Sequence, residues 1–214
     1  FDTKSYNVTA GLLSSSNSNV RTITLGSSTV TLTSVTFTNG TNLSFNSGTS
    51  SVVLNGLSSG IDASQTFYDA SYTSSSAGTR TLQGANTFNN LTVGASSVAG
   101  IVNFWVYAPQ TITGTLTVAG ATAVRRIFVR SDTLGTTRTL TVGTLSATDC
   151  DFRDITIAGA AAGSSPTRAG DCGGKDGVLE PCRRSELVCY RLGTVFWRYA
   201  RHQPISAGAR YGGV

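Results

Sequence analysis

The chain is poor in charge. Asp, Glu, Lys and Arg make up 13% of its 214 residues, about half of the roughly 25% that is usual for a soluble domain. Thr, Ser, Gly and Asn take the place of the missing charges, so hydroxyl and amide groups must cover most of the surface. With 39% hydrophobic residues, the chain is still apolar enough to bury a core.

Residues that favour helices are scarce. The chain has no Met, and its only Lys and Glu residues are Lys4, Lys175, Glu180 and Glu186. Long unbranched side chains favour helices, whereas the abundant Thr and Val favour strands. No segment before residue 160 has a helical period. These features predict an all-β chain of many short strands.

Long apolar runs and basic clusters are also missing. No run of about 18 apolar residues is present, so we expect no membrane insertion. The net charge is +5, but the arginines are not interleaved with aromatic residues, so we expect no nucleic-acid partner. The chain opens on Phe1 without a charged and then apolar leader. We expect it to be a processed or excised piece of a longer protein.

Apolar residues alternate with Thr, Ser and Asn through most of the chain. Each alternating pair predicts a short strand with one buried face, and "NG", "SG", "GSS" and "GT" between them mark turns. The pairs are Ile23/Leu25, Val30/Leu32, Val35/Phe37, Leu43/Phe45, Val52/Leu54, Leu91/Val93, Leu116/Val118, Ile127/Val129 and Leu140/Val142.

One short string recurs in the middle of the chain. "NLTVGA" begins at Asn90, "TLTVAG" at Thr115 and "TLTVGT" at Thr139, which makes Leu91, Leu116 and Leu140 candidate equivalents, 25 and 24 residues apart. This spacing matches one coil of a parallel β-solenoid, in which inward residues stack from coil to coil. We therefore predict a parallel β-helix with coils of about 24–25 residues. A β-sandwich is the alternative, because Thr-Leu-Thr-Val suits any Thr-rich strand.

The alternation changes phase in "ATDCDFRDITI", residues 147–157. Cys150 and Phe152 are predicted to face inward at even positions, and Ile155 and Ile157 at odd ones. This change predicts a bulge or corner at Arg153–Asp154. Beyond it the sequence becomes rich in Gly, Ala and Ser, and then in Arg and Cys. We expect a solenoid over 1–160 and an irregular cap or tail, or an altered-frame terminus, over 161–214.

Several segments resemble the Thr/Asn/Gly-rich repeats of tailed-bacteriophage virion proteins and of β-helical surface adhesins. They include "FNNLTV", "TITGTLTVAG" and "YNVTAGLLSSSNSNVRTITLGSSTVTLT", and the resemblance covers residues 1–175. It implies a right-handed parallel β-helix, commonly trimeric, exposed outside the cell on a virion surface.

The function that the resemblance implies is structural. We expect a non-enzymatic fibre, spike or decoration component whose rigid solenoid presents or supports a host-binding surface. Its partners would be further copies of itself, other virion proteins and a host cell-surface polysaccharide. Two alternatives stand beside this expectation, a polysaccharide-cleaving phage depolymerase and a bacterial surface adhesin.

The depolymerase alternative depends on Asp149 and Asp151. If Cys150 and Phe152 face inward, these carboxylates lie on the outer face roughly 7 Å apart, a separation suited to acid/base work on a glycosidic bond. We favour the plainer interpretation, in which they are the solvated side of a half-buried strand. The Asp-Asp and Gly-His-Gly blocks of polygalacturonase-like β-helices are absent from the sequence.

The segment "VNFWVY" is the best candidate for recognition. With Val102, Phe104 and Val106 inward, the outward side carries Asn103, Trp105 and Tyr107. Exposed aromatic rings beside an amide suit either a subunit interface or stacking on a sugar ring. The sequence leaves both readings open.

The segment "AVRRIFVR" predicts a second outward stripe. Val124, Ile127 and Val129 are expected near the core, which leaves Arg126, Phe128 and Arg130 outward. Such arginines can contact anionic sugars or a neighbouring subunit, or simply solvate a chain that is short of charge.

The four cysteines, Cys150, Cys172, Cys182 and Cys189, permit two disulfides with three connectivities. Their spacing from each other and from His202 is a poor match to a zinc site. We expect Cys150 to pack as a small apolar residue beside Phe152. No G-x-S-x-G elbow or phosphate-binding loop is present, so we expect no catalytic residue, metal or cofactor.

Overall fold

Nearly all the regular structure is β-strand in the computed structural model, which describes residues 1–173. The one helical segment among them is a 3-10 turn over Gly159–Ala161. The strands are β1 (Val8–Thr9), β2 (Leu12–Ser14), β3 (Arg21–Thr24), β4 (Thr29–Leu32), β5 (Ser34–Thr36), β6 (Leu43–Asn46), β7 (Ser51–Leu54), β8 (Ser59–Asp62), β9 (Thr66–Tyr72), β10 (Gly78–Gln83), β11 (Thr87–Gly94), β12 (Val102–Val106), β13 (Gln110–Ala119), β14 (Ile127–Ser131), β15 (Arg138–Arg153), β16 (Ile155–Ala158) and β17 (Thr167–Asp171).

The strands stack in register as a parallel β-solenoid of about seven turns. All the ladders between these named strands are parallel, for example Val8 beside Val30 and Val30 beside Val52. Because each coil is too thin to bury its own apolar side chains, the coils above and below must cover them and pair their N–H and C=O groups. The predicted all-β parallel β-helix is confirmed.

Three faces run along the solenoid. The first face contains β1, β4 and β7 and continues through the later parts of β9, β11 and β13 to the middle of β15. The second face contains β2, β5, β8, β10, β12, β14, the end of β15 and β17. The third face begins with β3 and β6 and continues through the first parts of the long strands to β16. Strand β15 is long enough to cross all three faces.

Inward side chains form continuous columns from coil to coil. Eight of the nine predicted alternating pairs are buried, and only Leu43 and Phe45 remain partly exposed at the margin of the core. On the third face, the ring centroid of Phe67 lies 5.0 Å from that of Phe45 and 5.5 Å from that of Phe88. The apolar residues of the repeating Thr-apolar pattern are therefore the side chains that stack into columns inside the solenoid.

The predicted equivalence of Leu140 with Leu116 is wrong. Leu91 does pair with Leu116 on the first face, but Leu116 pairs with Leu145, 29 residues later. Leu140 lies on the third face beside Gln110. Coil length varies because turns of different length separate the faces. The string Thr-Leu-Thr-Val suits a strand on any of the three faces, so its recurrence does not fix which face it occupies.

The phase change near Asp154 is confirmed as a corner. β15 ends at Arg153, β16 begins at Ile155, and Asp154 has a φ of 55° between them. By contrast, the prediction that Val124 lies near the core is wrong, because it sits in a tight turn and is 89% exposed. That turn is closed by hydrogen bonds between Thr122 and Arg125.

Parallel pairing continues beyond residue 160, where the sequence suggested a boundary. β17 stacks on the end of β15, with Cys150 beside Ala169. Residues 174–214, which contain most of the expected cap or tail, lie outside the part of the chain that the structure describes. Over residues 1–173, no helix is long and apolar enough to cross a membrane.

Candidate functional site

The outer surface of the second face carries several aromatic and cationic side chains in register. Alternation along β12 and β14 buries Val102, Phe104 and Val106 and turns the residues between them outward. The ladder from β10 to β15 then aligns Thr81 with Trp105, Trp105 with Arg130, and Arg130 with Arg153. Asn103 and Phe128 form the neighbouring column. We call the set Asn103, Trp105, Tyr107, Phe128, Arg130 and Arg153 the Trp-Arg stripe.

The guanidinium of Arg130 lies over the ring of Trp105. The guanidinium carbon is 3.7 Å from the centroid of the indole ring and 5.5 Å from the Phe128 ring. The guanidinium carbon of Arg153 also approaches Phe128, at 5.7 Å from its ring centroid. Cations are attracted to the faces of aromatic rings. Trp105, Arg130 and Arg153 therefore form a column along the solenoid axis, with Phe128 beside it.

Arg130 is buried and forms no ion pair with a carboxylate of residues 1–173. It is 8% exposed, and its Nε is buried without a hydrogen-bond partner in residues 1–173. Burial lowers the pKa of Arg130, and the positive charge of Arg153 lowers it further. A cation in this position is costly unless something anionic meets it, so the stripe has a positive charge that the described residues leave uncompensated.

Tyr107 and Asn103 complete the stripe. Tyr107 is 38% exposed, and its ring centroid lies 6.4 Å from that of Trp105 with an interplanar angle of 31°. Asn103 is half-buried beside Phe128. The structure thus places all three residues outward as predicted, but it also covers Trp105 with Arg130, which leaves Tyr107 as the accessible ring.

A polar groove leads along the second face toward the stripe. Its lining includes Gly60, Asp62, Thr79, Thr81 and Gln83. Gly60 pairs with Thr81, which in turn pairs with Trp105. A Cβ at Gly60 would collide with the Thr81 hydroxyl. Glycine at this position therefore leaves the bottom of the groove free of a side chain. The groove and the stripe together form one surface parallel to the solenoid axis.

The prediction that Asp149 lies on the outer face is wrong. Asp149 is 2% exposed and turns a corner within β15 with a φ of 52°, which takes it out of the alternation. Arg168 donates to both of its carboxylate oxygens, from Nε and Nη2, at 2.6 Å each. This pairing with Arg168 lowers the pKa of Asp149, whereas a general acid at neutral pH needs a raised pKa.

Asp151 is also held by an arginine. Arg126 donates from Nε and Nη2 to the two carboxylate oxygens at 2.7 and 2.8 Å, the bidentate geometry of a strong ion pair. Arg126 Nη2 also donates to the carbonyl oxygens of Cys150 and Arg168. Arg126, predicted to be an outward arginine available for contacts, therefore ties the end of β15 to β17.

Two of the four cysteines, Cys150 and Cys172, lie within the described residues. Cys150 is a fully buried free thiol whose pKa burial raises to about 12, so the prediction of a small apolar residue is confirmed. Cys172 is half-buried. Cys182, Cys189 and His202 lie outside the described residues. Among residues 1–173, no group of three or more His, Cys, Asp or Glu side chains is placed to hold a metal ion.

No protein-family model matches this chain, and no curated protein or solved structure is significantly similar to it. The geometry of the coils and of the Trp-Arg stripe must therefore carry any inference about function.

The sequence missed Arg153 as a member of the stripe. It was assigned only to a corner, because its alignment with Arg130 requires a coil of 23 residues between them, shorter than the predicted repeat. The alternation in β14 did offer a signal. Phe128 and Arg130 face outward one coil before the corner, so an outward residue at the corner would stack on them.

Proposed function

We propose that this chain is a non-enzymatic structural segment of a tailed-phage virion protein, a fibre, spike or decoration component displayed outside the cell. The observation that supports this most is the continuous apolar core. It passes through all the described coils, from Ile23 near one end to Ile157 near the other. A single core with parallel ladders on every face gives a stiff rod rather than a hinged enzyme cleft.

The rod works mechanically in this proposal. Each coil is covered by its neighbours, so bending the rod would break ladder hydrogen bonds on one face and unpack a column of side chains inside. The low charge and abundant hydroxyls of the outer surface suit a protein exposed to the environment. The second face, with its groove and its Trp-Arg stripe, is then the surface that the rod presents to a host.

The ion pairs of Asp149 and Asp151 favour the structural role over the depolymerase alternative. Both oxygens of Asp149 accept hydrogen bonds from Arg168, and both oxygens of Asp151 accept from Arg126. These ion pairs stabilise a corner and the last described strand. A bacterial adhesin would use the same rod, and the style of the repeats is what favours the virion.

Oligomeric state and virion location test this proposal. Multi-angle light scattering of the full chain is expected to give three times the chain mass of 22.2 kDa, with bands that resist SDS without heating. A monomer would remove the trimeric fibre or spike and leave a decoration role. Antibodies against the chain should label purified particles of the phage that encodes it, and unlabelled particles would contradict a virion component altogether.

A further inference from the structure

We propose that the Trp-Arg stripe binds an acidic polysaccharide, with Arg130 receiving a sugar carboxylate and Tyr107 stacking against a neighbouring sugar ring. The inference deepens the proposed function and rests on it for one point only, namely that the second face is presented to a host surface. The chemistry of binding is argued from the side chains themselves.

The first argument is charge. Two guanidinium groups, Arg130 and Arg153, meet in the stripe, and the nearest carboxylate is Asp154, whose oxygen lies 3.3 Å from the Nε of Arg153. Arg130 is part of none of the ion pairs of residues 1–173 and has a buried, unpartnered Nε. The other partly buried arginines of this region, Arg126 and Arg138, are each matched to an aspartate. Within residues 1–173, the guanidinium of Arg130 is therefore without a carboxylate partner, and we propose that an anion from outside supplies it.

The second argument is preorganisation. Arg130 is held on Trp105 at 3.7 Å and flanked by Phe128, so its planar fork is already oriented before a ligand arrives. A guanidinium fork matches the two oxygens of a carboxylate, and its weak hydration lowers the cost of removing water. The stripe is thus built to bind a planar anion rather than a point charge.

The third argument is shape. The polar groove of Gly60, Asp62, Thr79 and Thr81 continues into the stripe across successive coils, which lie about 4.8 Å apart. Hydroxyl and amide groups along this line suit the hydroxyls of a sugar chain, and the exposed Tyr107 ring suits the apolar face of a sugar. A linear polymer that carries carboxylates fits this surface, with sugar hydroxyls donating to Asp62 and Thr81 in the groove and one carboxylate at Arg130.

The test measures binding of the full chain to polygalacturonate by titration calorimetry. The comparison ligand is the same polymer with its carboxylates methyl-esterified, which keeps the sugars and removes the charge. We expect the acidic form to bind about tenfold tighter or more. The difference should shrink as salt rises from about 0.05 M to about 0.5 M, because salt screens the attraction. Alginate and hyaluronate extend the ligand set to other carboxylated polymers.

Two variants with the same change of charge locate the site. Arg130→Gln is expected to lose about tenfold or more in affinity for the acidic polymer. Its melting temperature should change little, because relief from burying a cation offsets the lost contacts with the Trp105 and Phe128 rings. Lys4→Gln removes a charge from the exposed pair with Asp2, far along the rod, and should bind as the wild type does. Tyr107→Ala should weaken binding of both the acidic and the esterified polymer.

Three results would overturn the inference. One is that none of the three acidic polymers binds. Another is that Arg130→Gln and Lys4→Gln weaken binding equally, which would show only general attraction. The third is that Tyr107→Ala and Arg130→Gln dissociate an oligomer, which would make the stripe an interface between copies. Failure of glycan binding would leave the particle-labelling test untouched, so the two proposals can fail separately.

Discussion

At the scale of single residues, the core depends on side chains that repeat in space rather than in sequence. Phe67 is 1% exposed and lies between the rings of Phe45 and Phe88. Its neighbour Tyr68 points outward and is 38% exposed. The two adjacent aromatic residues therefore have opposite roles in the same strand.

Replacing Phe67 by Ala is expected to lower the free energy of unfolding by about 3–5 kcal/mol, since it removes a buried ring and leaves a cavity in the column. Tyr68→Ala is the matched control and should change it by no more than about 0.5 kcal/mol. Urea unfolding followed by circular dichroism measures both. Equal effects would mean that the column does not carry the stability of the third face.

Arg80 is a second residue whose position is decisive. It points inward between Ser59 and Phe104 and is fully buried. Its Nη1 donates to the carbonyl oxygen of Leu57 at 3.0 Å, and its Nη2 to that of Ser76 at 2.9 Å. Burial lowers the pKa of Arg80. The guanidinium thus holds a turn to the coil before it.

Arg80→Met keeps the length of the side chain and removes these donors. We expect the free energy of unfolding to fall by about 1–3 kcal/mol, because buried carbonyl oxygens lose their partners. Amides near Ser76 should also exchange faster with deuterium. A variant as stable as the wild type would mean that the cost of burying the cation equals what its hydrogen bonds contribute.

At the scale of elements, the corners between faces require close backbone approach. Gly143, within β15, stacks over the corner at Thr113 and Gly114 of β13. A Cβ on Gly143 would lie 2.8 Å from the Gly114 carbonyl oxygen and in still closer contact with that of Thr113. Gly11, at the corner between β1 and β2, has open space around the same position.

Gly143→Ala is therefore expected to lower the free energy of unfolding by about 1–3 kcal/mol through forced backbone shifts. Gly11→Ala serves as the control and should be neutral or stabilising by up to about 1 kcal/mol, because alanine restricts the unfolded chain without a clash. Thermal unfolding of both variants gives the comparison. A neutral Gly143→Ala would show that this corner can open without cost.

The corner at Asp149 makes stability depend on pH. Pairing with Arg168 lowers the pKa of Asp149 in the folded state, so the stability from this pair is complete above the ordinary aspartate pKa of about 3.9. It is lost as the pH falls through the lower folded-state value. Asp149→Asn cannot titrate, and asparagine tolerates the left-handed backbone conformation.

We expect Asp149→Asn to show a shallower fall in melting temperature than the wild type between about pH 5 and about pH 2. Asp62→Asn is the control, because Asp62 lies on the outer second face and belongs to none of the ion pairs of residues 1–173. It should follow the wild-type curve. Parallel curves for the wild type and Asp149→Asn would contradict the role assigned to the pair with Arg168.

At the scale of the whole molecule, the solenoid is a one-dimensional array in which each coil is stabilised by its neighbours. The first described coil has a neighbour on one side only, and Leu12 in β2 is 55% exposed. Coils near β12 and β13 have neighbours on both sides and fully buried columns. Stability must therefore be uneven along the axis.

Hydrogen exchange followed by mass spectrometry should show this gradient. Amides of β1 and β2 are expected to exchange through local opening, well before those of β12 and β13, which should exchange only when the whole core opens. Mild denaturant should abolish protection of the first coil while the middle remains protected. Uniform protection along the rod would show that the coils unfold as one unit.

Alternation and repetition were enough to predict stacked parallel coils, because a period of two and a recurring apolar pair reflect local geometry. They also predicted the inward set Val102, Phe104 and Val106 and hence the outward Trp105 and Tyr107. The same local rules could not say that Leu140 stacks on Gln110 rather than on Leu116, because coil length depends on turns that the alternation does not record.

The sequence by itself determined the class of fold, the inward and outward sides of most strands, and the corner at Asp154. Only the tertiary structure decided that Arg130 rests on Trp105 beside Arg153, and that Arg168 and Arg126 hold Asp149 and Asp151. Those contacts join residues about 19 to 25 positions apart. The physical reason is register: a solenoid brings side chains together by stacking one coil on another, and a shift of one residue between two coils would replace the pairs that they form.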